Sequence, residues 1–386
     1  MNQFLYTLLS LHFLNDGVRT AILVLLPFVV KDMHLNFTQV GFLGSSQGFL
    51  AGLLAIPAGL LGARIGGYRL ILLSLLLYSL GALGIGLSPN IFILMVMFYL
   101  TAGGFGMFHV IGYTLVSRMS QKTNIGRNLG NFTATGDIGR VALPALAVFL
   151  IPFFSWRIIY IGIALSGLLV YGFLQISNRK GQITKTGQKE KETHYEWIKQ
   201  ATLLLRQKKL LLITAAAAID GLAGTSIYIF LPFLLLYKGV TATILGVFTG
   251  IYFAGSLFGK SLLGRSADRF GNAKIFVIAE LLMATCSILL AFSHQIFFLL
   301  IVAFLLGLFT RGTTPVVTTL FSEIVHADHY EKVFAVGEMF LGITASFAPI
   351  FMGIIADRLG ITFVFYIAAL LATLATLPIL FLKKKA

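Results

Sequence analysis

Charged residues are scarce in this sequence, and cysteine occurs once. Asp, Glu, Lys and Arg make up 11% of the 386 residues, whereas a soluble protein carries about 25%. Hydrophobic residues make up 58%, so too little polar surface is available to cover a globule in water. This excludes an ordinary soluble enzyme and a disordered chain. The single cysteine, Cys286, excludes a disulfide framework and a multi-cysteine metal site.

Long apolar runs take up most of the chain. A transmembrane helix needs about 20 predominantly apolar residues, and the runs between polar breaks predict twelve such helices. They cover residues 4–30, 38–63, 70–88, 92–117, 129–152, 156–177, 209–236, 242–263, 274–293, 296–321, 333–356 and 361–382. We therefore expect an all-α membrane protein whose termini lie on the same side of the bilayer, because the number of spans is even.

Lys and Arg are distributed unevenly between the connections. Most of them fall in segments that share a side with the termini, whereas the opposite side holds only Lys31, Arg157, Lys238 and Arg358. Because basic loops stay in the cytoplasm, both termini are predicted to be cytoplasmic. The net charge of +15 then reflects topology, so a nucleic-acid partner is not expected.

The chain is predicted to divide into two halves. Residues 178–208 are polar and rich in Lys, Gln and Thr, which predicts a cytoplasmic linker between six spans in 1–177 and six in 209–386. The halves also align at an offset of 205 residues, which places Gly66 on Gly271 and Leu26-Pro27-Phe28 on Leu231-Pro232-Phe233. An ordered series of such matches indicates an internal repeat. Two parallel six-helix repeats are an architecture of secondary transporters.

A short motif follows span 8: Asp268-Arg269, one intervening residue, and Gly271. The first half repeats its frame after span 2, with Ala63 at the position of the Asp. Over its whole length the chain resembles the major facilitator superfamily, whose loop signature this motif follows. The resemblance implies twelve transmembrane helices in two pseudo-symmetric six-helix halves, and a cytoplasmic gate at these connections. The gating residues that it implies are Gly264, Asp268, Arg269, Gly271 and Arg64.

A second set of residues is similar to one branch of that family, the fosmidomycin-resistance-type exporters. It comprises the stretch from His12 to Asp16 in span 1, Phe108-His109 in span 4, and the glycine spacing of 126–139. The resemblance implies proton-driven drug export across a bacterial inner (plasma) membrane. The Gly-Pro signature of many drug antiporters is absent from span 5, which weakens the implication of drug export.

Ionisable side chains inside the spans are the candidate functional residues, because each is costly in a membrane unless it is paired or hydrated. Those chosen lie in spans 1, 4, 5, 7, 10 and 11, which the family resemblance places along or beside a central cavity. The predicted substrate-binding residues are Asn15, Arg19, His109, Tyr113, Arg140 and Arg311. The predicted proton-coupling residues are Asp16, Asp137, Asp220 and Glu338, because a buried carboxylate can take up and release a proton.

Local spacing leaves the roles of some of these residues open. Acids and bases three residues apart occur in spans 1 and 5, at Asp16–Arg19 and Asp137–Arg140. Each pair either fixes helix packing or takes part in transport. Lys260 and Glu280 are expected to pair with each other as scaffold, and they are left outside the predicted site.

The sequence predicts a proton-coupled secondary active transporter of a small molecule, and most directly an antiporter that exports drugs or metabolites. The alternative is a porter of small organic anions that uses the intramembrane arginines Arg19, Arg140 and Arg311. A transporter-like receptor or scaffold is the alternative from another class. No nucleotide-binding motif, catalytic group or metal cluster stands out, so no enzymatic activity, cofactor or metal is expected. The expected partners are the substrate, protons and the lipid bilayer, with the chain acting as a monomer.

Overall fold

A computed structural model describes residues 3–120, 125–177, 207–323 and 330–382, apart from some side chains within these ranges, including all of those in 330–341. Most of these residues are helical, and no strand occurs among them. The helices are α1 (Gln3–Val24), α2 (Leu26–Met33), α3 (Phe37–Ile65), α4 (Gly67–Leu87), α5 (Ile91–Met119), α6 (Ile125–Leu150), α7 (Trp156–Ser177), α8 (Lys208–Tyr237), α9 (Ala242–Phe270), α10 (Asn272–Phe292), α11 (Ile296–Gly312), α12 (Thr314–Ser322), α13 (Tyr330–Leu359) and α14 (Ile361–Leu382).

Ten stretches of the described chain are long and apolar enough to cross a membrane. Two of them join consecutive helices, α1 with α2 and α11 with α12. Together with α3 and α13, which have 29 and 30 residues, these stretches account for the spans that the sequence predicts. The all-α, twelve-span prediction is confirmed, and α7 and α14 begin and end at the predicted residues, 156–177 and 361–382.

Two spans contain a break that the sequence analysis did not predict. The first span is interrupted at Leu25, shortly before Pro27, and the tenth at Thr313, shortly before Pro315. Proline has no N–H to donate and is tolerated in the first turn of a helix, so α2 and α12 begin as new helices there. The break at Thr313 leaves its side chain free to contact a neighbouring helix.

The chain forms two compact units. Unit 1 comprises Met1–Gly187 and Thr241–Gly250, and unit 2 comprises Gln188–Val240 and Ile251–Ala386. In unit 1, α6 packs along α1, and α5 packs against α3 and α4. In unit 2, α14 packs along α8 and α10, and α13 packs along α8. The predicted linker 178–208 lies outside the described residues except for its last two, so the boundary predicted there stays a prediction.

Backbone turns repeat at the offset found in the sequence. Gly66 and Gly271, which are 205 residues apart, have positive φ angles of 92° and 91°. His34 and Gly239 form a second pair at the same offset, with φ angles of 52° and 86°. Residues with a Cβ atom rarely adopt such angles. This requirement explains the glycine in the motif after spans 2 and 8.

The gating motif lies mostly within helices, so the prediction that it forms a loop between spans is wrong. Helix α9 continues to its end at Phe270, so Gly264, Asp268 and Arg269 belong to its last turns. Helix α3 likewise includes Arg64. Hydropathy predicted the end of span 8 about two turns too early, because the helix continues through charged residues that end the apolar run.

A cation caps the carbonyl end of one helix in each unit. Arg157 Nη1 donates to the main-chain oxygen of Ser88, just after α4, at 2.7 Å. Lys238 Nζ donates to the main-chain oxygen of Ser293, just after α10, at 2.6 Å. Each cation also donates to the carbonyl two residues earlier, at 3.3 and 2.8 Å. The acceptors correspond at the 205-residue offset, so the repeat includes this neutralisation of free helix carbonyls.

Glycines bring two pairs of helices into main-chain contact. A Cβ atom on Gly139 of α6 would lie 2.1 Å from the main-chain oxygen of Phe13 in α1. A Cβ atom on Gly307 of α11 would lie 1.9 Å from the main-chain oxygen of Tyr252 in α9. Only glycine permits these approaches, and they determine which polar side chains of the paired helices meet.

Candidate functional site

Asp16 is the centre of a group of ionisable side chains in unit 1. The group also contains His12 from α1, His109 from α5, and Asp137 and Arg140 from α6, and we refer to these five residues as the Asp16 cluster. Asp16 is only 1% exposed, so neighbouring side chains must balance its charge in place of water. The close α1–α6 contact holds these neighbours at the level of Asp16.

Arg140 joins the two carboxylates of the Asp16 cluster. Its Nη2 atom lies 2.6 Å from Asp16 Oδ2, and its Nη1 atom lies 2.6 Å from Asp137 Oδ1. The pairing of Asp137 with Arg140 is the one that their spacing predicts. Asp16 pairs with Arg140 on another helix, whereas Arg19 donates to the main-chain oxygen of Gln47 at 3.3 Å. The interhelical pair was not predicted, because spacing reveals only partners on the same helix.

The two histidines of the cluster both direct Nε2 at Asp16. His109 Nε2 lies 2.9 Å from Asp16 Oδ1, and His12 Nε2 lies 3.2 Å from Asp16 Oδ2. Each Nδ1 atom faces a main-chain carbonyl, of Phe132 at 2.6 Å and of Phe105 at 3.1 Å. A carbonyl only accepts hydrogen bonds, so each Nδ1 carries hydrogen, and in a neutral ring Nε2 then presents a lone pair to the carboxylate. A cation between these atoms would stabilise the arrangement.

Aromatic and amide groups surround the cluster. The His12 ring stacks on Phe132 with a centroid distance of 3.9 Å, and Tyr113 meets Phe132 edge-on at 5.2 Å. Tyr113 is 40% exposed. Asn15 is fully buried, and its Nδ2 atom lies 3.4 Å from Asp16 Oδ1. Two of the predicted substrate-binding residues therefore border the cluster.

Asp220 and Glu280 form an acidic pair in unit 2. Thr313 lies at the break between α11 and α12, and its hydroxyl donates to Asp220 Oδ2 on α8 at 3.3 Å. Glu280 on α10 is fully buried, and its carboxyl group interacts electrostatically with that of Asp220 on α8. Glu280 was not among the predicted site residues, because it was expected to pair with Lys260. No local pattern indicates that α8 and α10 bring these two acids together.

A cavity of about 200 Å³ lies beside Asp220 in unit 2. Its wall combines one acid, one base and several hydroxyl groups. The polar residues that line it are Asp220, Thr225, Thr310, Arg311, Thr313, Thr314 and Thr318. Such a wall can orient a small polar molecule through charge and hydrogen bonds.

Arg311 is the basic group of this cavity. Its guanidinium carbon lies 5.0 Å from the ring centroid of Tyr228 and 5.7 Å from that of Phe253, which is cation–π geometry. Among the side chains that the structure describes, no carboxylate forms an ion pair with Arg311. The guanidinium also interacts with the Tyr252 hydroxyl, and with five N–H groups it retains hydrogen-bond donors to offer to a ligand.

The Asp16 cluster and the Asp220 pair correspond through the internal repeat. Asp16 and His109 match Asp220 and Thr313 at an offset of 204 residues. In each unit the acid contacts the matched residue of the fourth span. Asp16 lies 2.9 Å from His109 in unit 1, and Asp220 lies 3.3 Å from Thr313 in unit 2. The geometry is shared and the chemistry differs, because an imidazole can carry a positive charge and a threonine hydroxyl stays neutral.

The remaining predicted residues lie apart from both groups or have side chains that the structure does not describe. Glu338 belongs to α13, but its side chain is not among those described. Asp268 and Arg269 are exposed at the end of α9, where Arg269 packs over the ring of Phe270 at 5.1 Å. No ion pair of Asp268 occurs within the described ranges, so its gating role stays a prediction.

Comparison with known proteins gives consistent results. The sequence matches the Major Facilitator Superfamily over residues 8–238 and over 213–386. It is 25% identical to the cis,cis-muconate transport protein of Acinetobacter baylyi, across 99% of this chain and 94% of that protein. Its structure resembles the nucleoside transporter NupG, with a TM-score of 0.83 and 13% identity over 98% of this chain and 100% of that one. A POT family transporter in complex with 5-aminolevulinic acid matches with a TM-score of 0.82 and 15% identity, over 100% and 97%.

Proposed function

Because the chain belongs to the Major Facilitator Superfamily, as a multi-pass membrane transporter of small molecules, we propose that it carries a small organic anion together with protons. The observation that carries this proposal is Arg311. Its guanidinium lines a cavity and forms no ion pair among the described side chains. A guanidinium inside a membrane span attracts an anion when no described carboxylate pairs with it, because the anion lowers the electrostatic cost of the charge.

The composition of the cavity suits a carboxylate. A guanidinium group can hold a carboxylate through two parallel hydrogen bonds, and the surrounding threonine hydroxyls can bind further oxygens. The relative from Acinetobacter baylyi is named for the transport of cis,cis-muconate, which is a dicarboxylate. This name supports an organic acid as the substrate class.

Proton coupling is assigned to Asp220 and Glu280. Two neighbouring carboxylates repel each other, and a proton taken up by either of them relieves that repulsion. An anion bound at Arg311 adds negative charge to the cavity that Asp220 lines, and this favours uptake of a proton. Anion and proton are therefore expected to bind together, which makes the transporter a symporter that works by alternating access.

In this proposal the Asp16 cluster is not the proton carrier. Arg140 lies 2.6 Å from both Asp16 and Asp137, and a carboxylate held by arginine keeps its charge. The coupling roles predicted for Asp16, Asp137 and Glu338 stay predictions.

Export of drugs or metabolites by proton antiport is the second candidate function. The observation that favours it is the pair of aromatic rings, Tyr228 and Phe253, against which the Arg311 side chain packs. Aromatic surface binds lipophilic compounds, and a guanidinium that stays stacked on it is less available to an anion.

The test is uptake into proteoliposomes that contain the purified chain. Labelled cis,cis-muconate and succinate are the anionic probes, and a lipophilic cationic dye is the other. With the outside acidic, wild type is expected to accumulate an anion, and Arg311→Gln to lose at least about 100-fold in transport efficiency because the bidentate contact is gone. Arg265→Gln is the matched control, because Arg265 is an exposed arginine of the same unit.

Two further variants separate coupling from binding. Asp220→Asn and Glu280→Gln are expected to abolish accumulation driven by the proton gradient, while exchange of labelled for unlabelled anion continues. Glu323→Gln, which alters an exposed acid, should behave as wild type. Anion uptake by Arg311→Gln at the wild-type rate would refute the anion proposal. Transport of the dye alone would favour export.

A further inference from the structure

The geometry of the Asp16 cluster points to a binding site for a divalent transition-metal ion of the zinc class, with His12, Asp16 and His109 as its protein ligands. No metal was expected from the sequence, because the two histidines and the aspartate lie on two different helices. The inference uses unit 1 alone, and it does not depend on the proposed anion transport.

The spacing of the three ligand groups suits one small ion. The two Nε2 atoms are 3.4 Å apart, His109 Nε2 lies 2.9 Å from Asp16 Oδ1, and His12 Nε2 lies 3.2 Å from Oδ2 of the same carboxyl group. Zinc binds imidazole nitrogen and carboxylate oxygen at about 2.0–2.2 Å, which separates neighbouring ligand atoms by ~2.9 Å at a right angle and ~3.4 Å at a tetrahedral angle. The ligand atoms need little movement to surround such an ion.

The outer contacts of the ligands are those of a metal site. Metal-binding histidines use one ring nitrogen and donate the other N–H to a carbonyl or carboxylate. Both histidines here donate Nδ1–H to main-chain carbonyls, at 2.6 and 3.1 Å. Arg140 Nη2 lies 2.6 Å from Asp16 Oδ2, which fixes the carboxyl group between the two imidazoles. Both Nε2 lone pairs and the carboxylate are thereby pre-oriented.

Charge and access also permit an ion at this place. With neutral imidazoles, the two carboxylates and the one guanidinium of the cluster sum to a single negative charge, so a divalent cation meets no net repulsion within the cluster. His109 is 24% exposed, whereas His12 and Asp16 are 2% and 1% exposed. The ion would reach the buried ligands past His109. Two imidazoles and one carboxylate select zinc, cobalt, nickel or iron over magnesium and calcium.

The experiment measures metal binding by the full-length chain, purified in detergent without a polyhistidine tag. Zinc is titrated in competition with a chromogenic chelator, and cobalt is titrated while its visible absorption is recorded. Wild type is expected to bind one zinc ion per chain, and the cobalt complex to show the intense absorption of low coordination number. His109→Gln should weaken zinc binding about 100-fold or more and remove the cobalt signal, because losing an inner ligand costs at least as much as losing an outer one.

Two controls keep the outcome decisive. His294→Ala removes an exposed histidine and should leave zinc affinity unchanged. His109→Gln keeps a polar group at the most exposed ligand position, so its fold is expected to survive, and a thermal unfolding curve recorded without metal checks this. Equal zinc affinity in wild type and a folded His109→Gln variant would overturn the proposal. Absence of zinc binding by wild type would also overturn it, and would leave a proton as the cation between the ligands.

Discussion

Substitution of Gly307 by alanine tests how closely α11 must approach α9. The new Cβ atom would lie 1.9 Å from the main-chain oxygen of Tyr252 and 2.8 Å from its carbonyl carbon. Carbon and oxygen atoms in close contact are about 3.3 Å apart, so the helices must separate by roughly 1.4 Å. Main-chain atoms of a helix cannot turn aside as a side chain does, so the whole helix pair has to move.

The expected cost follows from two opposing effects. Overpacking costs about 1–3 kcal/mol, and alanine recovers about 1 kcal/mol through its higher helix propensity. Gly307→Ala is therefore expected to be destabilised by up to about 2 kcal/mol. It also displaces Arg311, one turn further along α11, and a misplacement of about 1 Å can reduce activity about 100-fold. Gly162→Ala in α7 is the matched control, because its added Cβ has no neighbour within 4 Å.

The chain carries its own reporter for this measurement. Cys286 is the single cysteine and is buried, so a thiol-reactive fluorogenic dye reports unfolding during a thermal ramp without a background from other thiols. Gly307→Ala should melt below wild type, and Gly162→Ala at or above it. Anion uptake should fall only in Gly307→Ala. Equal melting temperatures and uptake in the two variants would refute the reasoning from close packing.

Three more predictions follow from features described above. Arg140→Gln removes the cation shared by the two carboxylates of the Asp16 cluster and should lower the free energy of unfolding by about 3–5 kcal/mol. The exposed-site variant Arg265→Gln should melt as wild type, and equal stability of the two variants would contradict the buried pairing. Gly271→Ala forces a residue with a Cβ atom to φ near 91° and ψ near 139° and should lower the free energy of unfolding by about 1–3 kcal/mol. Gly130→Ala, in open space, should cost nothing measurable, and equal effects would contradict the turn argument. Asp268→Asn should slow transport without changing the dissociation constant of the substrate, measured by calorimetry, and a changed constant would rule out a purely gating role.

Hydropathy predicted the spans well because the membrane imposes one requirement on every helix. The ends of α7 were predicted to the residue, at 156–177. The break at Thr313 was missed although Pro315 was visible, because hydropathy does not distinguish one helix of 26 residues from two joined helices. The positive φ of Gly271 was implicit in its motif, since glycine there has a backbone reason.

The candidate site was predicted only in part, because its contacts join different helices. Asp16 was expected to pair with Arg19 by spacing, yet Arg140 reaches it from α6. Glu280 was assigned a scaffold role, although it is buried and interacts with Asp220. Which helices touch depends on glycine contacts that one sequence does not reveal. Spacing along a helix therefore identified the chemical groups, and packing determined their partners.

The capping of carbonyls by Arg157 and Lys238 bears on how the chain enters the membrane. Both residues lie on the side predicted to be translocated, where positive charge opposes insertion in the expected orientation. Once the helices have formed, each cation is bound to the carbonyls that follow α4 or α10, at 2.7 and 2.6 Å. A charge unfavourable during translocation thus becomes a stabilising contact after assembly. Replacing either cation with a neutral residue should strengthen the orientation signal of the nascent chain and weaken the mature fold.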